Sequence, residues 1–483
     1  MELLLLIIPV FFALSVLVIP QNFVRAYSLI GGIASLVLTI VIGMNYQAAS
    51  GMHTIVSQEW LPNLGLTFNM GYDGISLIML FLTSGLVPLI LLSNYNRELA
   101  SNRTFSSMVF LMQFGLIGVF VAMDGILFYI FWEITLIPIY LICLWFGAPE
   151  RKAALMKFFI YTFFGSLFML ASLIALKAYG AASFAIEDLY AVELSAKAAC
   201  WMLGGFFLAF AVKTPIFPFH TWQPDTYSKA PMAGTMLLSG IMLKMALYGM
   251  IRWMLPLFPE ALDCVTTPII ILAVIGVVYG AIIAIKQNDM KRLFAFASLS
   301  HVGLIAAGIM TFDNDTLAGS MVQMINHGLV AVGLFLAADI FERRLGTRNL
   351  SDLGGIAKQA PKFAFWFAAL AFASVSVPFT SGFIGEFLLI KGIYNFDWII
   401  GIIAGTTLIL GAVYTFRAYQ LSMFGPVKVS AFEDLHWSEL IVFAVIMIVV
   451  VVLGICPQLV IGYVEPSITH LIETVQSPTP LVP

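Results

Sequence analysis

The chain has 483 residues, of which 61% are hydrophobic and 10% charged, with a mean hydropathy of +1.00 and a net charge of −3. Soluble globular domains carry roughly 25% charged residues, so this composition excludes a soluble fold of this size, a disordered chain and a secreted disulfide scaffold. The small net charge and the lack of a basic stripe exclude a nucleic-acid-binding protein. These properties predict a polytopic membrane protein.

Fourteen apolar segments are near or above the ~20 residues that cross a bilayer. They lie at 2–20, 25–47, 72–93, 105–123, 125–146, 155–178, 199–224, 231–254, 267–285, 291–311, 317–341, 362–395, 398–424 and 438–464. The runs are continuously apolar rather than alternating, which predicts an all-α fold of about 14 transmembrane helices. The first run has no basic residues before it and no A-x-A-like site after it, so we expect it to remain as a helix and not to be a signal peptide.

Basic residues are distributed unevenly between the two sides of these segments. Of the 23 Lys and Arg residues, 17 lie in connections that run from an odd-numbered segment to the next even-numbered one. Four lie in connections that run from an even-numbered segment to the next odd-numbered one. Positive residues favour the cytoplasmic side of a membrane, so this bias predicts that both chain termini lie outside. Arg252 and Asp339 stand two residues from segment ends, where we expect their side chains to reach the interface.

Two segments carry helix-breaking residues. Segment 199–224 contains three prolines, and segment 362–395, which contains Pro378, would measure ~51 Å as one straight helix. Broken helices at the seventh and twelfth positions suggest a duplicated five-helix unit, and a repeat of an odd number of helices must be inverted in the membrane. The predicted domains are N-terminal helices 1–3 at 1–104, a first repeat at 105–254, a second at 267–424, and helix 14 with a tail at 425–483.

Ionisable residues inside the apolar segments are the main functional signal. They are Glu133, Lys213, Lys244, His301, His327 and Glu386. An ionisable group at the bilayer centre costs at least ~2.5–3.5 kcal/mol and marks a functional site by default. The first five lie within 2.5 residues of their segment midpoints, which places them within ~4 Å of one depth. The structural alternatives are that the histidines, Lys244 and Glu386 are only hydrogen-bonded packing residues, and that Glu133 and Lys213 form a static ion pair.

A row of acids, lysines and histidines at one depth can relay protons. An ion pair at ~4 Å is worth ~4 kcal/mol at an effective dielectric of ~20, and about half of that at ~8 Å. A membrane force of ~200 mV opposes the movement of one charge by ~4.6 kcal/mol. Opening one pair is therefore insufficient to move a proton across, and a chain of coupled pairs is needed.

No cofactor signature accompanies these residues. The four cysteines, Cys143, Cys200, Cys264 and Cys456, are far apart without C-x-x-C spacing, so we expect small packing residues. The sequence also has no zinc or iron–sulfur pattern and no G-x-G-x-x-G motif in a strand–helix unit. We therefore expect no cofactor or metal site in this chain.

Three stretches carry a family resemblance. They read A-V-K-T-P-I-F-P-F-H-T-W-Q-P-D at 211–225, M-L-L-S-G-I-M-L-K-M-A-L-Y-G at 236–249 and Q-N-D-M-K-R-L-F-A-F-A-S-L-S-H-V-G at 287–303. In this order they resemble the antiporter-like subunits of respiratory complex I and the Mrp antiporters, over nearly the whole chain. The glutamate of G-F-I-G-E-F at 382–387, where sister subunits usually have lysine, favours the M-type subunits of NADH–quinone oxidoreductase. One departure is that Tyr227 and Lys229 replace the His and Glu of the family's L-P-D-A-H-x-E-A-P pattern.

The resemblance implies a role in proton translocation coupled to quinone reduction. It implies a Glu–Lys pair of Glu133 and Lys213, a central Lys244, a bridge of His301 and His327, and a terminal acid Glu386. It also implies the sister antiporter-like L and N subunits as membrane partners and, through the complex, a hydrophilic redox arm. Flavin, iron–sulfur clusters and quinone are implied in partner subunits, and the location is a bacterial inner membrane with periplasmic termini. The alternatives are an Mrp-type cation/proton antiporter subunit, a membrane subunit of a hydrogenase or formate-hydrogenlyase complex, and a scaffold without transport. Whether sodium replaces the proton stays open.

Overall fold

The computed structural model describes residues 1–48, 51–428 and 431–476, which are mostly helical. The helices are α1 Leu4–Ser15, α2 Val24–Asn45, α3 Gly74–Ser93, α4 Arg103–Val121, α5 Gly125–Phe146, α6 Arg151–Ala178, α7 Ile186–Tyr190, α8 Ala196–Lys213, α9 Trp222–Lys229, α10 Met232–Leu257, α11 Leu262–Lys286, α12 Met290–Met310, α13 Asn314–Leu345, α14 Pro361–Ser374, α15 Ser381–Phe396, α16 Trp398–Met423, α17 Trp437–Ile455 and α18 Gln458–Gln476. The strands are β1 His53–Leu61 and β2 Leu66–Tyr72.

Twelve of the described helices are long and apolar enough to cross a membrane. They coincide with twelve of the fourteen predicted segments. The other two predicted segments are the 12-residue helix α1 and the pair of short helices α14 and α15. The all-α membrane fold is confirmed, whereas the count of fourteen, the domain boundaries and the inverted repeat stay predictions.

Acidic residues define where many helices begin. The side chains of Asp73, Asp124, Asp289, Asp313 and Asp397 each accept a hydrogen bond from a backbone N–H in the first turn of the following helix. These N–H groups have no partner within their own helix, so the carboxylates satisfy them and stabilise the helix start.

Both predicted helix breaks are present. Helix α8 ends at Lys213 and α9 begins at Trp222, while α14 ends at Ser374 and α15 begins at Ser381. The Trp222 indole donates a 2.8 Å hydrogen bond to the Val212 carbonyl, which ties the short helix α9 back onto α8.

Three helices, α10, α12 and α13, form the centre of the bundle and are buried on all sides. A helix that is apolar all round is one that other helices enclose. Close contact between α10 and α13 depends on Gly328, because a Cβ atom there would lie 2.8 Å from the Gly240 carbonyl oxygen. Small residues allow such close helix contact in membrane proteins. The outer helices α6, α16 and α17 expose large apolar side chains, as lipid-facing helices do.

The C-terminal part of the chain differs from the prediction. The segment 438–464 is not one helix, because α17 ends at Ile455 and Pro457, which has no backbone N–H, precedes a separate helix α18. Residues up to Gln476, predicted as a tail, are therefore helical. Helix α18 packs on α3 so closely that a Cβ atom on Gly74 would lie 1.7 Å from the Tyr463 carbonyl oxygen.

The hairpin of β1 and β2 was not predicted. Its strands pair antiparallel through a tight turn that ends at Gly65, whose φ of +68° is a left-handed conformation that glycine adopts without strain. The Thr67 backbone N–H and hydroxyl donate to the Asp124 carboxylate, 3.1 and 3.0 Å away. Burial raises the pKa of Asp124, and these hydrogen bonds oppose that shift. The hairpin is thereby fastened to the start of α5, the helix that carries Glu133.

Three of the four cysteines are not simple packing residues, because Cys456 is exposed and two others form a disulfide. Cys200 and Cys264, 64 residues apart in sequence, form a disulfide between the first turns of α8 and α11. Sequence spacing could not reveal this pair, because only the fold brings these helix starts together. Cys143 is buried and agrees with the packing prediction.

The two charged residues predicted to reach the interface are instead buried. Arg252 and Asp339 are each 5% exposed. Arg252 forms an ion pair with Asp73, and Asp339 forms one with Arg97. The prediction of interfacial side chains was wrong because each residue has a partner from a distant helix end, which makes burial possible.

Candidate functional site

Glu133 and Lys213 lie in the first half of the bundle. Lys213 is the last residue of α8 and 2% exposed, and its Nζ lies 5.5 Å from the centre of the Trp132 ring. Neither Lys213 Nζ nor Glu133 Oε1 has a hydrogen-bond partner among the described residues. The structure therefore contains no static ion pair between them. The free carbonyl groups at the end of α8 favour a positive charge at Lys213.

Lys244 lies in the fully buried helix α10, between two π-helical stretches at Leu238–Met242 and Met250–Met254. Its Nζ donates to the Ser239 carbonyl at 2.5 Å and lies 2.7 Å from His327 Nδ1 on α13. Stretches of π-helix are frequent at functional sites because they leave backbone groups available to side chains. Lys244 and His327 thus form one directly hydrogen-bonded pair.

His301 and Glu386 form a second pair. His301 Nδ1 on α12 lies 2.8 Å from Glu386 Oε1 on α15, just after the second helix break. Gln323 donates to the same carboxylate oxygen at 3.0 Å. The Tyr414 hydroxyl lies 3.1 Å from His301 Nε2, so both ring nitrogens of His301 have a partner. A histidine bound at both nitrogens is fixed in orientation and tautomer.

A small cavity lies between the two pairs. Its volume is about 30 Å³, and its polar lining consists of Ser298, His301, Gln323, Asn326, His327 and Ser374. The His301 and His327 ring centres are 6.3 Å apart, and the hydrogen bonds of the two rings go to other residues, so no direct hydrogen bond joins them for proton transfer. A water needs about 10–15 Å³ of such volume and two or more polar partners. The cavity therefore has room for about two waters that could join the pairs.

The six predicted residues thus fall into two groups. Lys244, His327, His301 and Glu386 form two hydrogen-bonded pairs beside one cavity. Glu133 and Lys213 belong to neither pair, and no hydrogen bond joins Lys213 Nζ to Glu133 Oε1.

Sequence reasoning missed Tyr414 and Gln323, which hold His301 and Glu386. Gln323, an uncharged amide inside an apolar segment, was a signal that could have been used. Tyr414 gave no such signal, because tyrosine is common in membrane helices. Within residues 1–48, 51–428 and 431–476, no group of three or more His, Cys, Asp or Glu side chains could hold a metal ion.

Known proteins are similar to this chain in sequence and architecture. The family model described as NADH:quinone oxidoreductase/Mrp antiporter, TM, matches residues 122–411. NADH-quinone oxidoreductase subunit M from Rickettsia typhi is 34% identical over 458 residues, which cover 93% of this chain and 92% of that protein. A chain in the structure of respiratory complex I from Thermus thermophilus with bound NADH superposes with a TM-score of 0.91 at 30% identity, covering 99% of both chains.

A chain of the Mrp complex from Dietzia sp. DQ12-45-1b superposes with a TM-score of 0.84 at 19% identity, covering 99% of this chain and 98% of that chain, which shows a shared fold. The match of the family model and the 34% identity to a full-length relative go further than the fold. This chain belongs to the NADH:quinone oxidoreductase/Mrp antiporter family of membrane proteins.

Proposed function

We propose that this chain is a proton-translocating membrane subunit of a complex I-type quinone oxidoreductase. The observation that carries the proposal is the pair of buried hydrogen-bonded contacts, Lys244–His327 and His301–Glu386, whose two histidines line one small cavity. Burying ionisable groups in a membrane costs free energy, and a row of such groups can act as a proton relay, which explains why they are present. The relatives named above, an M subunit and a chain of complex I, support the same assignment.

In this proposal protons enter from the inside near the first helix break and reach Lys213. They continue to Lys244, cross between His327 and His301, and leave on the outside by way of Glu386. Because Lys213 and Glu133 have no closed ion pair, Lys213 can exchange a proton without first breaking one. The energy would come from partner subunits that hold flavin, iron–sulfur clusters and quinone, and the neighbours would be the sister L and N subunits and the redox arm.

The proposed location is a bacterial inner membrane with both chain termini in the periplasm. The bias of basic residues places the starts of α8 and α11 outside. The disulfide between Cys200 and Cys264 lies at those two helix starts. Disulfides persist in the oxidising periplasm and are rare in the cytoplasm, so the bond supports this orientation independently of the charges.

The proposal is tested with Lys213→Met and Glu133→Gln in the assembled complex. Both variants should assemble and lose coupled proton pumping, measured in inverted membrane vesicles by a pH-sensitive dye. The control is Lys197→Met, which removes an exposed lysine from the other end of α8 and should leave pumping unchanged. Full pumping in both Lys213→Met and Glu133→Gln would refute the proposal.

A second experiment identifies the partners. The tagged chain is extracted gently in detergent, and the proteins that remain bound are identified by mass spectrometry. Iron–sulfur and quinone-site subunits should co-isolate. Co-isolation of small membrane antiporter subunits alone would point instead to an Mrp-type antiporter.

A further inference from the structure

Lys291 is a third buried lysine, close to the inner end of the bundle. It is the second residue of α12 and is 1% exposed. Its Nζ donates a 2.6 Å hydrogen bond to the Ala230 carbonyl, between α9 and α10. Among the described residues, no carboxylate oxygen lies within 4.0 Å of this nitrogen. An ammonium group buried without a carboxylate partner is costly to keep.

The charged groups around Lys291 form ion pairs with one another. Arg348 donates to Asp289 at 2.7 Å and to Glu342 at 2.9 Å, and it also donates to the Ser228 carbonyl at 3.2 Å. These three charged side chains and the Cys143 thiol are the titratable groups that act on Lys291. Both nearby carboxylates are therefore paired with Arg348, and Lys291 donates instead to a neutral carbonyl. An ordinary structural lysine would be expected to hold one of those acids itself.

The face of α12 that carries Lys291 leads toward the site. Ser298 follows two turns later on the same face, ~10 Å along the axis, and lines the cavity together with His301. The Ser298 hydroxyl lies 3.5 Å from that of Ser239, whose carbonyl binds Lys244. Polar contacts thus connect Ser298 to the pair of Lys244 and His327, but Phe294 and Ala295 lie between Lys291 and Ser298 on this face, so a route from Lys291 needs polar groups from another helix.

Two further buried polar side chains lie on α9, which packs against α12. Gln223 and Tyr227, both fully buried, belong to α9, the helix just before the carbonyl that Lys291 binds. The Tyr227 hydroxyl and both amide atoms of Gln223 have no direct hydrogen-bond partner among the described residues, and the Tyr227 hydroxyl faces Gln223 and Ser239. Buried polar atoms of this kind bind water. Water bound here would connect the two lysines.

We propose that Lys291 is a proton-transfer residue that loads protons from the inner side onto Lys244. An N–H bond of the Lys291 ammonium breaks as its proton passes to water beside Tyr227. The Ser239 hydroxyl takes up a proton from this water and releases its own O–H proton, through a second water, to the neutral Lys244 amine. The neutral Lys291 amine then regains a proton from water at the inner surface, beyond Arg348. This inference rests on the proposed function and adds an inner-side donor to Lys244 that works together with Lys213, so that the loss of either lysine stops pumping.

The competing explanation is that Lys291 only fastens α12 to the carbonyl after α9. Lys291→Arg separates the two explanations, because arginine keeps the charge and the hydrogen-bond donors but does not release a proton. The control is Lys286→Arg, at an exposed lysine five residues earlier. Pumping and NADH–quinone electron transfer are measured in inverted vesicles, with electron transfer also measured in the presence of a protonophore.

We expect Lys291→Arg to assemble, to retain electron transfer within twofold when uncoupled, and to lose pumping at least tenfold. Lys286→Arg should behave as the unaltered complex. Unaltered pumping in Lys291→Arg would overturn the inference. If that variant does not assemble, Lys291→His is used, since imidazole carries a proton but titrates near pH 6.5. Its pumping should then have an optimum shifted to lower pH, and an unshifted profile, or no pumping at any pH in an assembled complex, would overturn the inference.

The two proposals fail in different ways. If Lys213→Met abolishes pumping while Lys291→Arg pumps normally, only the role of Lys291 is refuted. If Lys213→Met and Glu133→Gln both pump fully, the proposed function itself fails, whatever Lys291→Arg does.

Discussion

The hydrogen bond from Tyr414 to His301 can be removed with almost no change in shape, by Tyr414→Phe. When Glu386 is ionised, His301 donates through Nδ1, so Nε2 is the acceptor of the Tyr414 hydroxyl, 3.1 Å away. The ring of Tyr414 is fully buried, so phenylalanine keeps its packing. The substitution removes only the partner of Nε2. It therefore tests whether the tautomer of His301 controls proton transfer.

The expected size of the effect of Tyr414→Phe follows from His301 Nε2, which loses its hydrogen-bond partner. A buried acceptor left without a partner costs ~1–3 kcal/mol, and every ~1.4 kcal/mol is a factor of ten in an equilibrium. The tautomer that directs its proton to Glu386 should therefore become on the order of tenfold less populated. We expect the pumping rate to fall by a similar factor, while assembly is unchanged.

The assay compares initial pumping rates in inverted vesicles, normalised to the amount of assembled complex. The matched control is Tyr419→Phe on the same helix, whose hydroxyl donates to the Ala364 carbonyl at 3.2 Å rather than to a relay residue. Tyr419→Phe should pump normally. Equal pumping rates in the two variants would show that the orientation of His301 does not limit transfer, and would refute the reasoning.

Three further outcomes follow from the fold. A membrane-impermeant maleimide should label Cys200 and Cys264 in whole cells only after reduction, and labelling that requires opened cells would contradict the orientation. Gly74→Ala places a Cβ atom 1.7 Å from a carbonyl oxygen of α18, so it should lower stability by at least ~1–3 kcal/mol, visible as a lower Tm. Arg252→Met leaves Asp73 buried without its partner and should cost ~3–5 kcal/mol, part of which the double variant with Asp73→Asn should recover; strictly additive losses would contradict a direct pair.

The membrane-spanning architecture was accessible from sequence because the bilayer imposes one simple rule. A helix must present about 20 apolar residues to cross it, so composition alone located twelve spans correctly. The breaks after Lys213 and around Pro378 were equally visible, since proline removes a backbone donor. The hairpin of β1 and β2 and the helix α18 follow no such rule. Their formation depends on contacts with Asp124 and Gly74 that are distant in sequence.

The same limit applies to the site. The cost of burying charge identified the depth at which Lys244, His301 and His327 lie. It could not tell which of them are neighbours, because pairing depends on how α10, α12 and α13 rotate about their axes. Sequence reasoning missed Lys291 for a related reason. Its position at a segment end predicts exposure, and only the fold encloses it.

Proton transfer between the Lys244–His327 pair and the His301–Glu386 pair depends on the cavity between the two histidines. Each pair is closed by a direct hydrogen bond, but the 6.3 Å between the rings requires water or a ring rotation. Ala331 lines the cavity, and Ala331→Leu adds three carbon atoms there, enough to displace the ~two waters it can hold.

The Ala331→Leu substitution fills the cavity and leaves every charged residue in place. A loss of pumping would therefore result from the loss of the space for water between His301 and His327. Overpacking should cost ~1–3 kcal/mol of stability, which an intact complex can tolerate. We therefore expect Ala331→Leu to assemble and to pump at a small fraction of the normal rate, while Ala331→Ser, which keeps the space and adds a hydroxyl, should pump normally. If Ala331→Leu pumps as well as Ala331→Ser, protons do not cross between the histidines, and the two pairs serve separate paths.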